Sequence, residues 1–479
     1  MRRFLAAALA LVVLVVGYAA LDVFDVVPGI LTRDQPAAAP PTPTPTGTVT
    51  PTSVAVPTVD TAAQPLQPAS AGAPIPAPAA LAEVLAKAVA DPALRPGPGV
   101  VVRDAFTGQT LFTKGATKPR VPASTAKLLT ALAVGTTLDP LGTLPTTVVQ
   151  GAKPTEIVLV AGGDTMLAKG KGAPTAVEGR AGLGDLAGQV AAALTAAGTT
   201  KVSLRLDTTF AKGPRWAPGW SRADIDAGFT GGVSMLGLAG QRAIPYRPAP
   251  RDPEAATGAA FVTALAKVGI TATLARESTW STPAPAGAAE LGRVESAPIG
   301  DLLALALDES DNALTEGLAR QASLKAGSGT SFAATVAFVR KAVEAQGIDL
   351  TGVTLKDTSG LTSGQAIPPQ VLSDVLQLGA DGSVPALQDT LARLPVAGLT
   401  GTLAERFKAK NTHAVAGVAR AKTGTLTGTS AMAGTVIDAD GRVLSYVVQA
   451  DRLPAGIGTL HARAALDRFV AVLATCGCP

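Results

Sequence analysis

Hydrophobic positions change their spacing several times along the chain, and each change marks an element. Apolar residues at helical spacing predict helices at 80–90, 183–197 and 253–268, a helical region from Ala297, and a closing helix at 457–475. Short runs rich in β-branched residues predict strands. Two of them, 99–103 and 109–113, face each other across a turn at 105–108. Further strands are expected at 156–161, 201–207 and 270–274. Near the C-terminus, Gly417-Val-Ala-Arg-Ala-Lys422 is followed by the apolar runs 429–437 and 443–449, with Asp438-Ala-Asp-Gly441 as a hairpin turn between them. The chain leaves its first set of elements at about Thr146 and returns near Val294. The pattern predicts an α+β protein: one domain (80–145 and 294–479) with an antiparallel sheet and helices, interrupted by an inserted mixed α/β domain (146–293).

The first residues follow a different pattern. Met1-Arg2-Arg3 precedes an apolar run of 18 residues from Phe4 to Leu21. That length lies between a signal-peptide core and a membrane span. Ala19-Ala20 is a poor cleavage site and apolar residues resume after Asp22. Residues 1–34 are therefore expected to remain as a signal-anchor, with Arg2 and Arg3 on the cytoplasmic side. A cleaved, secreted form is the alternative. From 35 to 79 periodicity is lost in Pro, Thr, Ala and Val, including Pro40-Pro-Thr-Pro-Thr-Pro-Thr46. Such a composition cannot form a core and predicts an extended linker. At about 3 Å per residue it would reach roughly 100 Å.

Composition narrows the function classes. With 479 residues, 47% of them hydrophobic, the chain can bury a large core and hold two domains. A net charge of +4 without basic clusters argues against nucleic acid as a partner. Two histidines, His413 and His461, make a histidine metal site or a Ser-His-Asp triad improbable, and no Gly-x-Ser-x-Gly elbow occurs. Gly182-Leu-Gly184-Asp-Leu-Ala187 resembles a dinucleotide fingerprint, but no strand immediately precedes it, so it reads as a turn entering a helix. Cys476-Gly-Cys478 leaves open terminal thiols or a strained bond, because residues two apart rarely reach relaxed disulfide geometry.

Three short strings carry the chemistry: Ser124-Thr-Ala-Lys127, Ser310-Asp-Asn312 and Lys422-Thr-Gly424. Pro122 and the Ala/Leu run after Lys127 predict a helix start, so residues three apart share a face and the Lys127 amine reaches the Ser124 hydroxyl. A serine hydroxyl needs an adjacent base. Lysine serves only when neutral; burial and a nearby cation both lower its pKa, and Lys422 is the expected cation. The dipole of the helix would favour negative charge on Ser124 in its first turn. Ser310 is placed to relay a proton to the leaving amine and Asn312 to bond a substrate amide, although the same residues suit a helix N-cap. Lys422 and Thr423 lie on a strand and would hold a carboxylate. Gly424 would let a ligand approach the backbone. The N–H groups of Ser124 and Thr425 would form an oxyanion hole.

In this order the three strings are the signature of penicillin-recognising acyl-serine enzymes. The chain resembles the DacB-type D-alanyl-D-alanine carboxypeptidase/endopeptidase family, the low-molecular-mass penicillin-binding proteins with a large insertion after the first motif. Spacing singles out that family, since 182 residues separate Lys127 from Ser310. Further similar strings are Val158-Leu-Val-Ala-Gly162-Gly163-Asp164, Leu206-Asp207-Thr-Thr-Phe210 with Trp216, Asp357-Thr-Ser-Gly360-Leu-Thr-Ser363, and Leu394-Pro-Val-Ala-Gly398 with Gly401-Thr-Leu. The insertion is shorter than the largest in the family. The resemblance implies a β-lactamase/transpeptidase-like catalytic domain, presented outside the cytoplasm by an anchor in the cytoplasmic membrane. It implies hydrolysis of the terminal D-Ala-D-Ala bond of peptidoglycan stem peptides without metal or cofactor. Endopeptidase action on cross-links is the implied second activity, and β-lactams are implied covalent inhibitors. No dedicated deacylating glutamate is evident; Glu316, on the helix after Ser310, is expected to be structural. A β-lactamase, or a non-catalytic penicillin receptor or wall-binding protein, is the alternative.

Overall fold

The computed structural model describes residues 69–478 apart from 455 and 457. The expected anchor and residues 35–68 of the expected linker lie outside the described residues, whereas 69–79 belong to the fold: the Ser70 and Ala77 amides donate to the Gly441 and Cys478 carbonyls, and a helix starts at Pro78. Among the described residues no helix is long and apolar enough to cross a membrane.

The sheet that carries the third motif is built from both ends of the described chain. Its strands are β1 (Gly99–Asp104), β2 (Thr110–Lys114), β8 (Ala419–Leu426), β9 (Thr429–Ile437) and β10 (Val443–Ala450), in the order β2-β1-β10-β9-β8, and every neighbour is antiparallel. Alternation along β10 shows why the sheet is covered twice. Leu444, Tyr446 and Val448 face a core shared with the first helix, Pro78–Val89, and the last, Gly458–Thr475. Val447 faces the opposite core, formed with the helices Lys127–Gly135, Ile299–Asp308, Asn312–Lys325 and Pro369–Ala380. The turn expected at Asp438 closes the β9–β10 hairpin. The Asp438 carboxylate accepts from the Asp440 and Arg442 amides, and Gly441 takes a φ of +86°. At the base of the same hairpin the buried Arg442 guanidinium pairs with Asp104 of β1.

A second five-stranded sheet is formed between Pro145 and Glu295. It comprises β3 (Pro145–Gln150), β4 (Glu156–Val160), β5 (Lys201–Asp207), β6 (Thr271–Leu274) and β7 (Glu290–Glu295), in the order β6-β5-β4-β3-β7. β4, β5 and β6 run parallel, while β3 pairs antiparallel with both β4 and β7. The helices Leu183–Ala196 and Pro253–Lys267 bury Leu186, Val190, Leu194, Phe261 and Leu265 against it. The Gly182-Leu-Gly184 stretch does enter a helix. The expected α+β class therefore forms, with helices on an antiparallel sheet and a mixed sheet between its segments. Sequence reading did not find β3 and β7. β7 is an edge strand whose Glu290, Arg293 and Glu295 break the apolar alternation.

One local expectation changes, and one alternative left open is resolved. Ser124 does not lie in the first turn of an α-helix; it lies on a 3₁₀ turn, Ala123–Ala126, and the α-helix starts at Lys127. Cys476 and Cys478 are joined as a disulfide, so the thiol reading fails.

Candidate active site

The nucleophile turn is wedged between two glycines. Ala123, fully buried, has a φ of +45°, which aims Ser124 out of the wall. A Cβ on Gly424 would lie 2.6 Å from the Pro122 carbonyl oxygen, and one on Gly360 would lie 2.0 Å from that of Ala123. Gly424 was expected to admit a ligand to the backbone. What approaches it is the Ser124 turn itself, so its bare Cα sets the distance between β8 and the nucleophile. Thr125 Oγ1 donates to the Pro122 carbonyl at 2.6 Å and completes the turn.

Lys127 lies beneath this turn with no exposure to solvent. Its Nζ is 3.1 Å from Ser124 Oγ, 2.5 Å from Asn312 Oδ1 and 2.7 Å from the Ser359 carbonyl oxygen. Burial pushes its pKa down to about 8, against the opposing pull of Asp357, Glu316 and Asp311. Lys422, expected to be the depressing cation, is not the main cause. The repulsion shows instead on Lys422, which burial and then Lys127 hold well below the usual lysine value, with Asp308 opposing. Lys422 Nζ donates to the Thr423 carbonyl at 2.9 Å, and Thr423 Oγ1 donates to Thr402 Oγ1 at 2.9 Å.

Ser310 occupies the break between two helices at a φ of +60°. Asp311 caps the second helix by accepting the Leu314 amide at 3.0 Å. The N-cap expectation therefore holds for Asp311, while Asn312 turns inward, donating to the Phe229 carbonyl at 2.7 Å as it accepts from Lys127. Ser124, Ser310, Asn312, Thr423 and Thr425 all line one open cleft of about 1070 Å³. Lys127, Lys422 and Gly424 stand behind its wall.

The Ser359 carbonyl and Asp357 were missed as site groups, while Glu316 has the structural role expected of it. The loop 357–360 brings the Ser359 carbonyl to Lys127 and the Thr358 carbonyl to Thr130 Oγ1. Two buried carboxylates hold that loop. Glu316 accepts from Thr358 and Ser359; Asp357 accepts from the amides of Ser359, Gly360 and Thr362 and from Trp220 Nε1. Burial and Asp357 push the Glu316 pKa up to about 7. Burial would also raise Asp357, but the hydrogen bonds outweigh it and its pKa falls below the ordinary value. The only signal in the chain was the polar, glycine-ended string Asp357-Thr-Ser-Gly360.

A serine beside a buried, deprotonatable lysine, on an antiparallel sheet flanked by helices, defines an active-site-serine acyl-transfer enzyme. Residues 81–246 and 240–475 match the model of the D-Ala-D-Ala carboxypeptidase 3 (S13) family. The chain belongs to that family and is a serine-type D-Ala-D-Ala carboxypeptidase. It is 37% identical over 421 residues to carboxypeptidase DacB of Mycolicibacterium smegmatis, covering 86% of this chain and 87% of that one. It is 31% identical over 428 residues to the D-alanyl-D-alanine carboxypeptidase of an Actinomadura species, covering 75% and 78%. Penicillin binding protein 4 (dacB) of Haemophilus influenzae shares the fold, with a TM-score of 0.65 and 20% identity over 82% of this chain and 97% of that one. A second structure of that protein, complexed with a β-lactam, matches with a TM-score of 0.58.

Proposed function

We propose that the enzyme hydrolyses the terminal D-Ala-D-Ala bond of peptidoglycan stem peptides through an acyl-enzyme on Ser124. The observation that carries this is Lys127, buried, 3.1 Å from Ser124 Oγ and with a pKa near 8. About a tenth of it is then neutral at pH 7, enough to take the serine proton as attack begins. Asn312 and the Ser359 carbonyl fix the amine on the serine side. The penultimate carbonyl sits against the N–H groups of Ser124 and Thr425, which favour the tetrahedral oxyanion. Thr423, with the Lys422 amine behind it, receives the terminal carboxylate. Ser310 passes the proton to the departing D-alanine, and water releases the shortened peptide.

The same cleft would accept a cross-linked D-Ala amide, giving an endopeptidase activity, and the strained amide of a β-lactam, whose acyl-enzyme hydrolyses slowly. A wall substrate requires a position outside the cytoplasm. The run 4–21 would serve there as an uncleaved anchor and 35–68 as the tether.

The test is labelling with a fluorescent penicillin, read by intact mass beside Ser124→Ala, with D-alanine release from a pentapeptide as the activity assay. A stable adduct confined to Ser124 together with D-alanine release supports the proposal. Penicillin consumed without an adduct would make the protein a β-lactamase, and an adduct without D-alanine release would make it a receptor.

A further inference from the structure

The Ser310 motif is gripped by one arginine from the inserted segment. Arg242 follows a short turn, Ala239–Gln241, and its guanidinium meets three carboxylates. Nη1 lies 3.0 Å from Asp311 Oδ2; Nη2 lies 2.8 Å from Glu309 Oε2 and also pairs with Glu178. Glu309 and Asp311 are the immediate chain neighbours of Ser310. They flank a residue in the left-handed region, which non-glycine residues occupy only where their surroundings hold them. The Arg242 side chain is 14% exposed and that of Asp311 10%, so this pair is shielded from the screening that weakens surface pairs. Asp311 is held twice, through Arg242 at Oδ2 and through the Leu314 amide at Oδ1. The same inserted segment also reaches Asn312, through the Phe229 carbonyl.

We propose that Arg242 is the positioning residue for Ser310. It clamps both flanking residues so that the Ser310 hydroxyl stands where the departing amine needs its proton. The inference rests on the reading of Ser310 as the proton relay. In acylation the Ser124 Oγ–carbonyl carbon bond forms and the carbonyl carbon–nitrogen bond breaks. The proton lost by Ser124 travels through Lys127 and Ser310 to the amine nitrogen. A thiolate leaving group needs no such proton. A displaced Ser310 therefore slows amides and spares thioesters, whereas general loosening of the site slows both.

The experiment compares single-turnover acylation of the full chain by a peptide ending in D-Ala-D-Ala and by its thioester counterpart. Arg242→Gln is expected to slow the peptide by about 10–100-fold and the thioester by less than about 3-fold, with peptide binding unchanged. Arg242→Lys, which restores the charge without the fork, is expected to recover part of the loss. Ser310→Ala should show the same preference more strongly. Equal slowing of both substrates, no slowing of either, or a Ser310→Ala variant without the amide preference would overturn the proposal. Should Arg242→Gln lose its fold, Glu309→Gln removes a single pair and is judged by the same criterion. A wild-type protein that releases no D-alanine overturns the function reading and this inference with it. A wild-type that releases D-alanine, beside an unaltered Arg242→Gln, overturns this inference alone.

Discussion

Replacing Glu316 by alanine would release the loop that brings the Ser359 carbonyl to Lys127. The carboxylate is fully buried and accepts three hydrogen bonds: from the amides of Thr358 and Ser359 at 2.8 Å each and from Thr358 Oγ1 at 2.7 Å. Alanine strands the Thr358 amide where water does not reach, at about 1–3 kcal/mol, while the Ser359 amide keeps its 3.2 Å bond to Asp357 Oδ1. The hydroxyl can turn elsewhere. The void left by the side chain adds to this, and relief of the carboxyl's own burial and of its repulsion by Asp357 offsets part of it, leaving a net loss of about 1–3 kcal/mol. Glutamine keeps an acceptor for both amides and a donor that the hydroxyl can accept, so Glu316→Gln should cost about 1 kcal/mol at pH 5. The pH dependence separates the two contributions. The folded pKa is raised from 4.5 to about 7. Below about 4.5 both states are protonated and the contribution is fully present. Between 4.5 and 7 only the unfolded chain ionises, so the wild-type loses up to about 3 kcal/mol as pH rises through that window. Glutamine does not titrate, and by about pH 7 Glu316→Gln should equal or exceed the wild-type. Urea unfolding followed by tryptophan fluorescence at about pH 5 and pH 7 measures both effects. A Glu316→Ala variant within about 0.5 kcal/mol of wild-type, or a glutamine-to-wild-type difference that ignores pH, would refute the reasoning.

Because Lys127 must be neutral to act and its pKa is lowered to about 8, acylation by the peptide should climb with pH and level off above about 8; a flat profile would remove Lys127 from the role of base. Gly360→Ala should cost about 3 kcal/mol or more and slow penicillin labelling of Ser124, since the new Cβ would sit 2.0 Å from the Ala123 carbonyl oxygen at a φ of +85°; melting and labelling close to wild-type would show that the turn can yield. Asp104→Asn leaves the buried Arg442 guanidinium short of its counter-charge and should cost about 3–5 kcal/mol in denaturant unfolding, while the labelling rate of the folded fraction stays unchanged. A labelling rate that falls in step with stability would connect this hairpin to the site.

What could be read from the chain, and what could not, divides along a physical line. In the proposed reaction Ser124, Lys127, Asn312 and Thr423 act through side-chain chemistry that few residue types offer, at spacings a helix turn or a strand imposes, so their types and order were informative. Ser359 acts through its main-chain carbonyl, which every residue has, and it meets Lys127 across 232 residues. No residue-type signal could mark it. Glu316 was expected to be structural and Asp357 stood out only within a polar string, but a carboxylate is usually solvated; only the folded structure shows them buried and turned into anchors for a loop. Arg242 belongs to the same group, since its charge matters only where the Glu309 and Asp311 carboxylates meet it. The strand β7 escaped for a related reason, as the charged residues of an edge strand hide its period while pairing with a neighbour supplies its stability. Gly424 was legible as a point of close approach, but the Ser124 turn packed against it was not, because a missing Cβ records that something approaches without recording what. Residues that perform chemistry were therefore visible one at a time, whereas residues that position them became visible only as partners.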